Sequence, residues 1–266
     1  MLGAYETITY SAEGGTHRVF LNRPNVLNAI NSKMLSELLD VVERIRRSAS
    51  SRVVILGGEG GNFSAGADMK EGASRSASPA RREESTDYLI SAIETFDAFE
   101  ALPMPTIASV SGYCLGGGAE LMMRCDIKVA SDDSKFGFPE IKSGVFPSFG
   151  GTRLLPRHVG LGNAKRLMMT GDIIDARSAL SMGLVDYVVP PGRRERTVDS
   201  LASNLAGHAP LALVYLKRLL SESLETPAHA STGVEILGAF KNASSADAVE
   251  GFRAFSEKRK PRYKGK

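Results

Sequence analysis

Strand-like and helix-like runs alternate from Thr16 to Val189, and from Arg194 onward the pattern is helical alone. That order confines the first part of the chain to α/β layers joined by right-handed crossovers, followed by an all-helical region. Thr16–Leu21 and Arg52–Leu56 are short runs rich in β-branched or apolar residues, which predict strands. Between them Leu35, Leu38, Leu39, Val42 and Ile45 recur at helical spacing, so an amphipathic helix is expected over Ser32–Arg46. Asn31 or Ser32 can cap it, since either side chain accepts from the free amides of a first turn. Further strands are expected at Thr106–Ser111, Ile127–Ser131 and Leu184–Val189, with a glycine-opened helix running to Arg124. Glu71–Ser85, with Gly72, Pro79 and little apolar content, predicts a mobile surface loop leading into a helix over Arg82–Glu100. Pro190-Pro191-Gly192 breaks the chain, and helices are expected at 195–207, 211–224, 228–241 and 245–257. The division is therefore a core over 1–193 and a helical appendage over 194–266.

A chain of 266 residues buries most of its unfolded apolar surface and needs no disulfide staple. Its two cysteines, Cys114 and Cys125, sit in apolar stretches as small buried hydrophobes, which suits a reducing compartment, the cytoplasm. The start lacks a basic, apolar leader, and no run of ~18 apolar residues occurs, so neither export nor a membrane span is expected. The net charge of +3 is local: Lys258, Arg259, Lys260, Arg262, Lys264 and Lys266 carry six positive charges at the end. Without them 27 basic residues face 30 acidic ones. The excess belongs to a tail, not a face.

Three stretches can carry chemistry. Gly116-Gly117-Gly118 precedes Ala119-Glu120-Leu121-Met122-Met123, a helix start whose first-turn amides lack internal partners and receive developing negative charge. Glu120 can stand on the same side. Tight strand–helix packing, with Glu120 a mere helix-start charge, explains the glycines equally well. Phe63-Ser64-Ala65-Gly66-Ala67-Asp68 is a second small-residue turn able to expose an N–H. Phe136-Gly137-Phe138-Pro139-Glu140 ends in a carboxylate that can join Glu120 as acid and base, although spacing does not bring the two together. The G-x-S-x-G elbow, the G-x-x-x-x-G-K-[ST] phosphate loop and the H-E-x-x-H pair are all absent. His17, His158, His208 and His229 lack ligand spacing. Metal, nucleotide-hydrolysing and serine-hydrolase chemistry are not expected.

In order along the chain, Leu21-Asn22-Arg23-Pro24 with Leu27-Asn28-Ala29, then Phe63 to Asp68, Ser111 to Glu120, Phe136 to Glu140 and Phe149-Gly150-Gly151-Thr152 resemble the enoyl-CoA hydratase/isomerase (crotonase) family. Met169 to Asp172, Ala179, Gly183-Leu184-Val185 and Glu250 to Arg259 extend the resemblance over nearly the whole chain. It implies a crotonase-like spiral of ββα units with a C-terminal helical region that builds trimers, often paired into hexamers. It implies an acyl-CoA substrate, with coenzyme A part of that substrate and no separate cofactor or metal. Carried over by position, Glu120 and Glu140 match the hydratases' catalytic glutamates, and the amides of Ala67 and Gly117 match the pair that holds the thioester oxygen. Ala65, Asp68, Met69 and Lys70 fall on the stretch lining the CoA groove. Phe255 and Lys258 match residues near the nucleotide end, commonly reached from a neighbouring subunit.

Retaining both glutamates favours a hydratase, which adds water to a 2-enoyl thioester, over a Δ3-Δ2-enoyl-CoA isomerase. One departure bears on this. Pro147-Ser148-Phe149 stands where hydratases commonly have a small glycine-and-alanine turn near the water, so Ser148 brings a hydroxyl to that place. Phe146 and Phe149 are bulkier than usual and suggest a shorter or differently shaped acyl pocket, leaving an isomerase or a hydratase of an unusual acyl group as alternatives. A non-catalytic binder of RNA or CoA is the non-enzymatic rival, since one branch of the family also binds RNA. RNA binding calls for a strongly basic helical face and is disfavoured here, because Lys33, Arg44, Arg46 and Arg47 are nearly balanced by Glu37, Asp40 and Glu43.

Overall fold

A computed structural model describes residues 5–76, 82–223 and 227–266. Nine strands and ten α-helices lie in these residues. In chain order they are β1 (Ile8–Glu13), β2 (Thr16–Leu21), α1 (Ser32–Arg47), β3 (Val53–Gly58), α2 (Met69–Ser76), α3 (Arg82–Glu100), β4 (Thr106–Val110), β5 (Tyr113–Leu115), α4 (Gly117–Met122) and β6 (Ile127–Ser131). There follow β7 (Lys135–Gly137), α5 (Gly151–Thr170), β8 (Ile173–Asp175), α6 (Ala176–Ser181), β9 (Tyr187–Val189), α7 (Pro191–Ala206), α8 (Pro210–Glu222), α9 (Ala228–Ala243) and α10 (Ala246–Ser256).

β3 and β4 are buried on both faces, and they occupy the middle of a six-stranded sheet ordered β1-β2-β3-β4-β6-β9. Alternation within these strands divides the core. Val54, Leu56, Ala108 and Val110 face the large cluster that includes Leu35, Leu38 and Ile45 of α1 and Phe96 and Phe99 of α3. Val53, Ile55, Ile107 and Val129 face the other way, against Val198 and Ala202 of α7. The sheet thus has helices on both sides, as continuous apolar runs in parallel strands require. The expected boundary after residue 193 falls in the first turn of α7.

A second sheet, β5-β7-β8, is shorter, and a single parallel bridge between Ser64 and Cys114 extends it. Each passage of the chain visits the large sheet, then the small one, then a helix. β3, Ser64 and α2 make one turn; β4, β5 and α4 the next; β6, β7 and α5 the third. This is the ββα spiral, with a helical C-terminal region.

α1 behaves as its pattern predicts, capped by Asn31, whose Oδ1 accepts from the Met34 amide at 3.0 Å. The Glu71–Ser85 loop is corrected: Met69–Ser76 is helical. Asp68 Oδ1 accepts from the Lys70 and Glu71 amides and so provides the start that composition alone did not signal. The remainder of the expected loop up to Arg82, including Pro79, lies outside the described residues. α5 carries no clear apolar stripe, because Pro156 and the non-helical Gly160 (φ 75°) break its phase. No described helix is long and apolar enough to cross a membrane.

Candidate active site

The turn from the small sheet into α4 is where backbone polarity is left uncompensated. Gly116 N–H donates to Gly137 O, but Gly117, the first residue of α4, lies beyond the reach of any intrahelical acceptor. The Ile30–Ala67 bridge sends the Ile30 amide to Gly66 O and the Asp68 amide to Ile30 O, passing over the amide of Ala67. Among the described residues neither the Ala67 nor the Gly117 N–H meets an acceptor. The two positions adjoin: a Cβ at Gly117 would lie 3.5 Å from the Ala67 nitrogen.

Both residues line a cleft of about 550 Å³. Asp68, Met69 and Tyr88 stand on its wall with Ala67, and Glu120, Glu140, Ser148 and Phe149 with Gly117. The apolar part of the wall comes from Tyr88 and Leu89 of α3 and from Val145, Phe146 and Phe149. Phe149 is fixed edge-on between Tyr88 and Phe96, with ring centroids 5.7 Å away in each case. Tyr88 OH donates to Ile30 O at 2.7 Å, anchoring that wall to the Ala67 segment.

The two carboxyl groups that sequence spacing could not bring together share this cleft. Glu120, in the first turn of α4, is 1% exposed. Its Oε1 accepts from the Phe149 amide at 2.8 Å and the Gly151 amide at 2.7 Å, and its Oε2 has no donor among the described residues. Burial pushes this carboxyl from an ordinary 4.5 up to about 7; the charge of Glu140 adds to the rise, while the two amides and Arg124 oppose it. Glu140 lies in the first turn of the 3-10 helix Pro139–Ser143. Its Oε1 reaches the entrance of α4, where a Cβ at Gly116 would lie 2.5 Å from it, and its Oε2 is buried without a partner among the described residues. Burial raises this carboxyl as well. Two carboxyls, both inclined to keep a proton, therefore stand beside two unspent amides. Such a group can move protons at the carbons next to a carbonyl whose oxygen the amides hold.

Asp68 and Met69 line the cleft; Ala65 and Lys70 do not. Ala65 is half-buried with its amide on Leu27 O, and Lys70 is exposed in the first turn of α2. Asp68 holds Arg23 through Oδ2 at 2.8 Å. Burial alone would raise the Asp68 carboxyl, but that pair and the α2 amides leave it lowered. Ser148 lines the cleft as expected. Phe255, 87% exposed, and Lys258 lie at the end of α10, away from this wall. Tyr88, Leu89 and Arg124 are additions that no motif announces; Arg124 stands four residues after Glu120, just past the end of α4. Among the described residues, no group of three or more His, Cys, Asp or Glu could hold a metal ion.

The sequence model of the enoyl-CoA hydratase/isomerase family matches residues 11–266. A crotonyl-CoA hydratase of Syntrophomonas wolfei is 36% identical over 261 residues, 98% of each chain. A 2,3-dehydroadipyl-CoA hydratase of Escherichia coli is 36% identical over 246 residues, 92% of this chain and 94% of that one. The crystal structure of an enoyl-CoA hydratase from Bacillus anthracis superposes with a TM-score of 0.93 at 34% identity, covering 98% of this chain and all of the other.

Proposed function

Since this chain belongs to the enoyl-CoA hydratase/isomerase family, we propose that it adds water reversibly to a 2-enoyl-CoA thioester, giving the 3-hydroxyacyl-CoA. The observation that carries this reading is the pairing of two proton-retaining carboxyls, Glu120 and Glu140, with the unspent amides of Ala67 and Gly117 in one cleft.

The thioester oxygen sits between the two N–H groups. Glu120 is immobilised through Oε1, so Oε2 is left to accept from a water aimed at Cβ. As water adds, its proton passes to Glu120 while Glu140 delivers one to Cα, and the charge that builds on the thioester oxygen is met by the two amides. Each such donor is worth roughly 3 kcal/mol of barrier. The positive end of α4 points at the same oxygen and adds to the effect. At the end of the addition the two carboxyls have exchanged protonation states, and one proton passed between them or through solvent resets the site. Two neighbouring carboxyls resist ionising together, which keeps a single proton in the pair near neutral pH. The Ser148 hydroxyl offers one more contact for the water.

Asp68 and Met69 on the wall, with Ala65 and Lys70 beside them in the chain, receive the CoA moiety, which arrives as part of the substrate; no separate cofactor or metal is called for. A homotrimer, or two trimers paired, accounts for the bare apolar side chains of α8–α10, among them Leu220, Ile236, Phe240 and Phe252. In such an assembly Phe255 and Lys258 would reach the nucleotide end of a neighbour's substrate. The division into a core over 1–193 and a helical region over 194–266 follows the same reasoning, and the cytoplasm suits the two buried free thiols.

Crotonyl-CoA tests the activity through loss of the conjugated thioester absorbance. Glu120→Gln and Glu140→Gln should each slow turnover by about 10²-fold or more with little change in thioester affinity. Wild-type rates in both variants would sink the assignment. Double-bond migration in a 3-enoyl-CoA, with crotonyl-CoA left untouched, would identify an isomerase instead.

A further inference from the structure

We propose that Arg124 is a positioning residue for this hydration, clamping the Phe149–Gly151 turn from behind so that its two amides hold Glu120 in place. The inference rests on the hydratase reading and adds to it a residue outside the cleft wall.

The geometry begins with α4. Glu120 and Arg124 are four residues apart, and both side chains hydrogen-bond the backbone of the same turn. Glu120 takes the amides of Phe149 and Gly151, and the Arg124 guanidinium donates to the Phe149 carbonyl through Nη2 at 3.1 Å. Gly150, between the two amides, adopts φ 103°, and a Cβ there would collide with Arg124 Nη2. A side chain at 150 is thus excluded by backbone conformation and by the guanidinium together.

Arg124 is itself held. Its side chain is 1% exposed, an unusual burial for a cation, and its Nη1 contacts Glu100 and, at 2.5 Å, Asp97, both on α3. Arg153 of α5 approaches the same two carboxylates at 3.8 and 3.6 Å. The charged groups around Glu120 are therefore Glu140 on the cleft side and Arg124 behind, with Asp97, Glu100 and Arg153 one layer further out. Glu140 opposes ionisation of Glu120 and Arg124 favours it. Asp97 and Glu100 partly mask that favourable charge.

Three variants separate positioning from packing. Arg124→Met removes clamp and charge: kcat for crotonyl-CoA should fall about tenfold or more with KM within about twofold, and the acid limb of the rate–pH profile should move alkaline. Arg124→Lys keeps the charge on a shorter reach, so the limb should stay near wild type while kcat recovers part of the loss. Asp97→Asn with Glu100→Gln unmasks Arg124 without touching the turn, so the limb should move in the acid direction. An activity-independent arm uses urea unfolding: Glu120→Gln should stabilise the Arg124→Met background more than the wild type near pH 8.5, because the carboxyl it removes is then harder to ionise. Unmoved limbs in both the Met and the Asn/Gln variants, with the two unfolding increments equal, would overturn the proposal. Unfolding coupling as predicted in a protein that does not hydrate crotonyl-CoA would uphold the clamp and discard the hydratase reading.

Discussion

Replacing Glu120 with glutamine should make the protein more stable at alkaline pH while disabling its chemistry. The substitution keeps the size of the side chain, and the amide's carbonyl oxygen can accept from Phe149 and Gly151 N–H as Oε1 does. What it removes is the need to ionise inside the fold. The Glu120 carboxyl is raised from 4.5 to about 7, so between those values the folded state binds the proton that the unfolded state has released. Stability from this site is therefore fully present below the unfolded value, declines as pH rises through the window, and levels off above the folded value. At about 1.4 kcal/mol for each pH unit, the accumulated cost is roughly 3 kcal/mol. For a chain of this length that is about 6 °C in melting temperature. Thermal unfolding of both proteins at one concentration and ionic strength should show curves nearly coincident near pH 4 and separated by about that amount near pH 8.5, the variant being the more stable. A separation that does not vary with pH, or that widens toward acid, would refute the claim that an uncompensated buried carboxyl is present.

Three further outcomes are expected. Gly117→Ala should lower kcat by about 10²-fold, read by crotonyl-CoA hydration, because its Cβ would meet the Phe149 ring at 2.8 Å and displace the N–H beside it. Asn31→Ala should cost about 1 kcal/mol in urea unfolding, since it deletes the side-chain cap of α1. Phe240→Lys combined with Phe252→Lys should shift sedimentation toward the monomer, as two exposed rings on neighbouring C-terminal helices are replaced by charges; an unchanged sedimentation coefficient would place the subunit interface elsewhere.

What the sequence disclosed followed the strength of local signals. β3, β4, β6 and α1 were readable because burial on one or both faces imposes a period or an unbroken apolar run. β5, β7 and β8 are three residues each and carry no period to detect. α2 hides because its start depends on one side chain, Asp68, and its faces have little apolar contrast. At the site, Glu120, Glu140, Ala67 and Gly117 stand in recognisable motifs, yet their meeting depends on which strands pair, a long-range property that no spacing encodes. Arg124 shows the opposite case. Its four-residue offset from Glu120 was visible, but its meaning appeared only once the Phe149–Gly151 turn was found lying across both side chains.

Phe149 occupies an awkward place for anyone wishing to broaden the range of acyl groups this cleft admits. Its ring is part of the apolar wall and leans on Gly117, its amide steadies Glu120, and its carbonyl is gripped by Arg124. Enlarging the space by trimming that ring would loosen the support of an amide donor and disturb the residue that carries a glutamate. Room for longer or branched chains is better sought at Leu89 on α3, or at the exposed Val145 and Phe146, whose replacement leaves that wiring untouched.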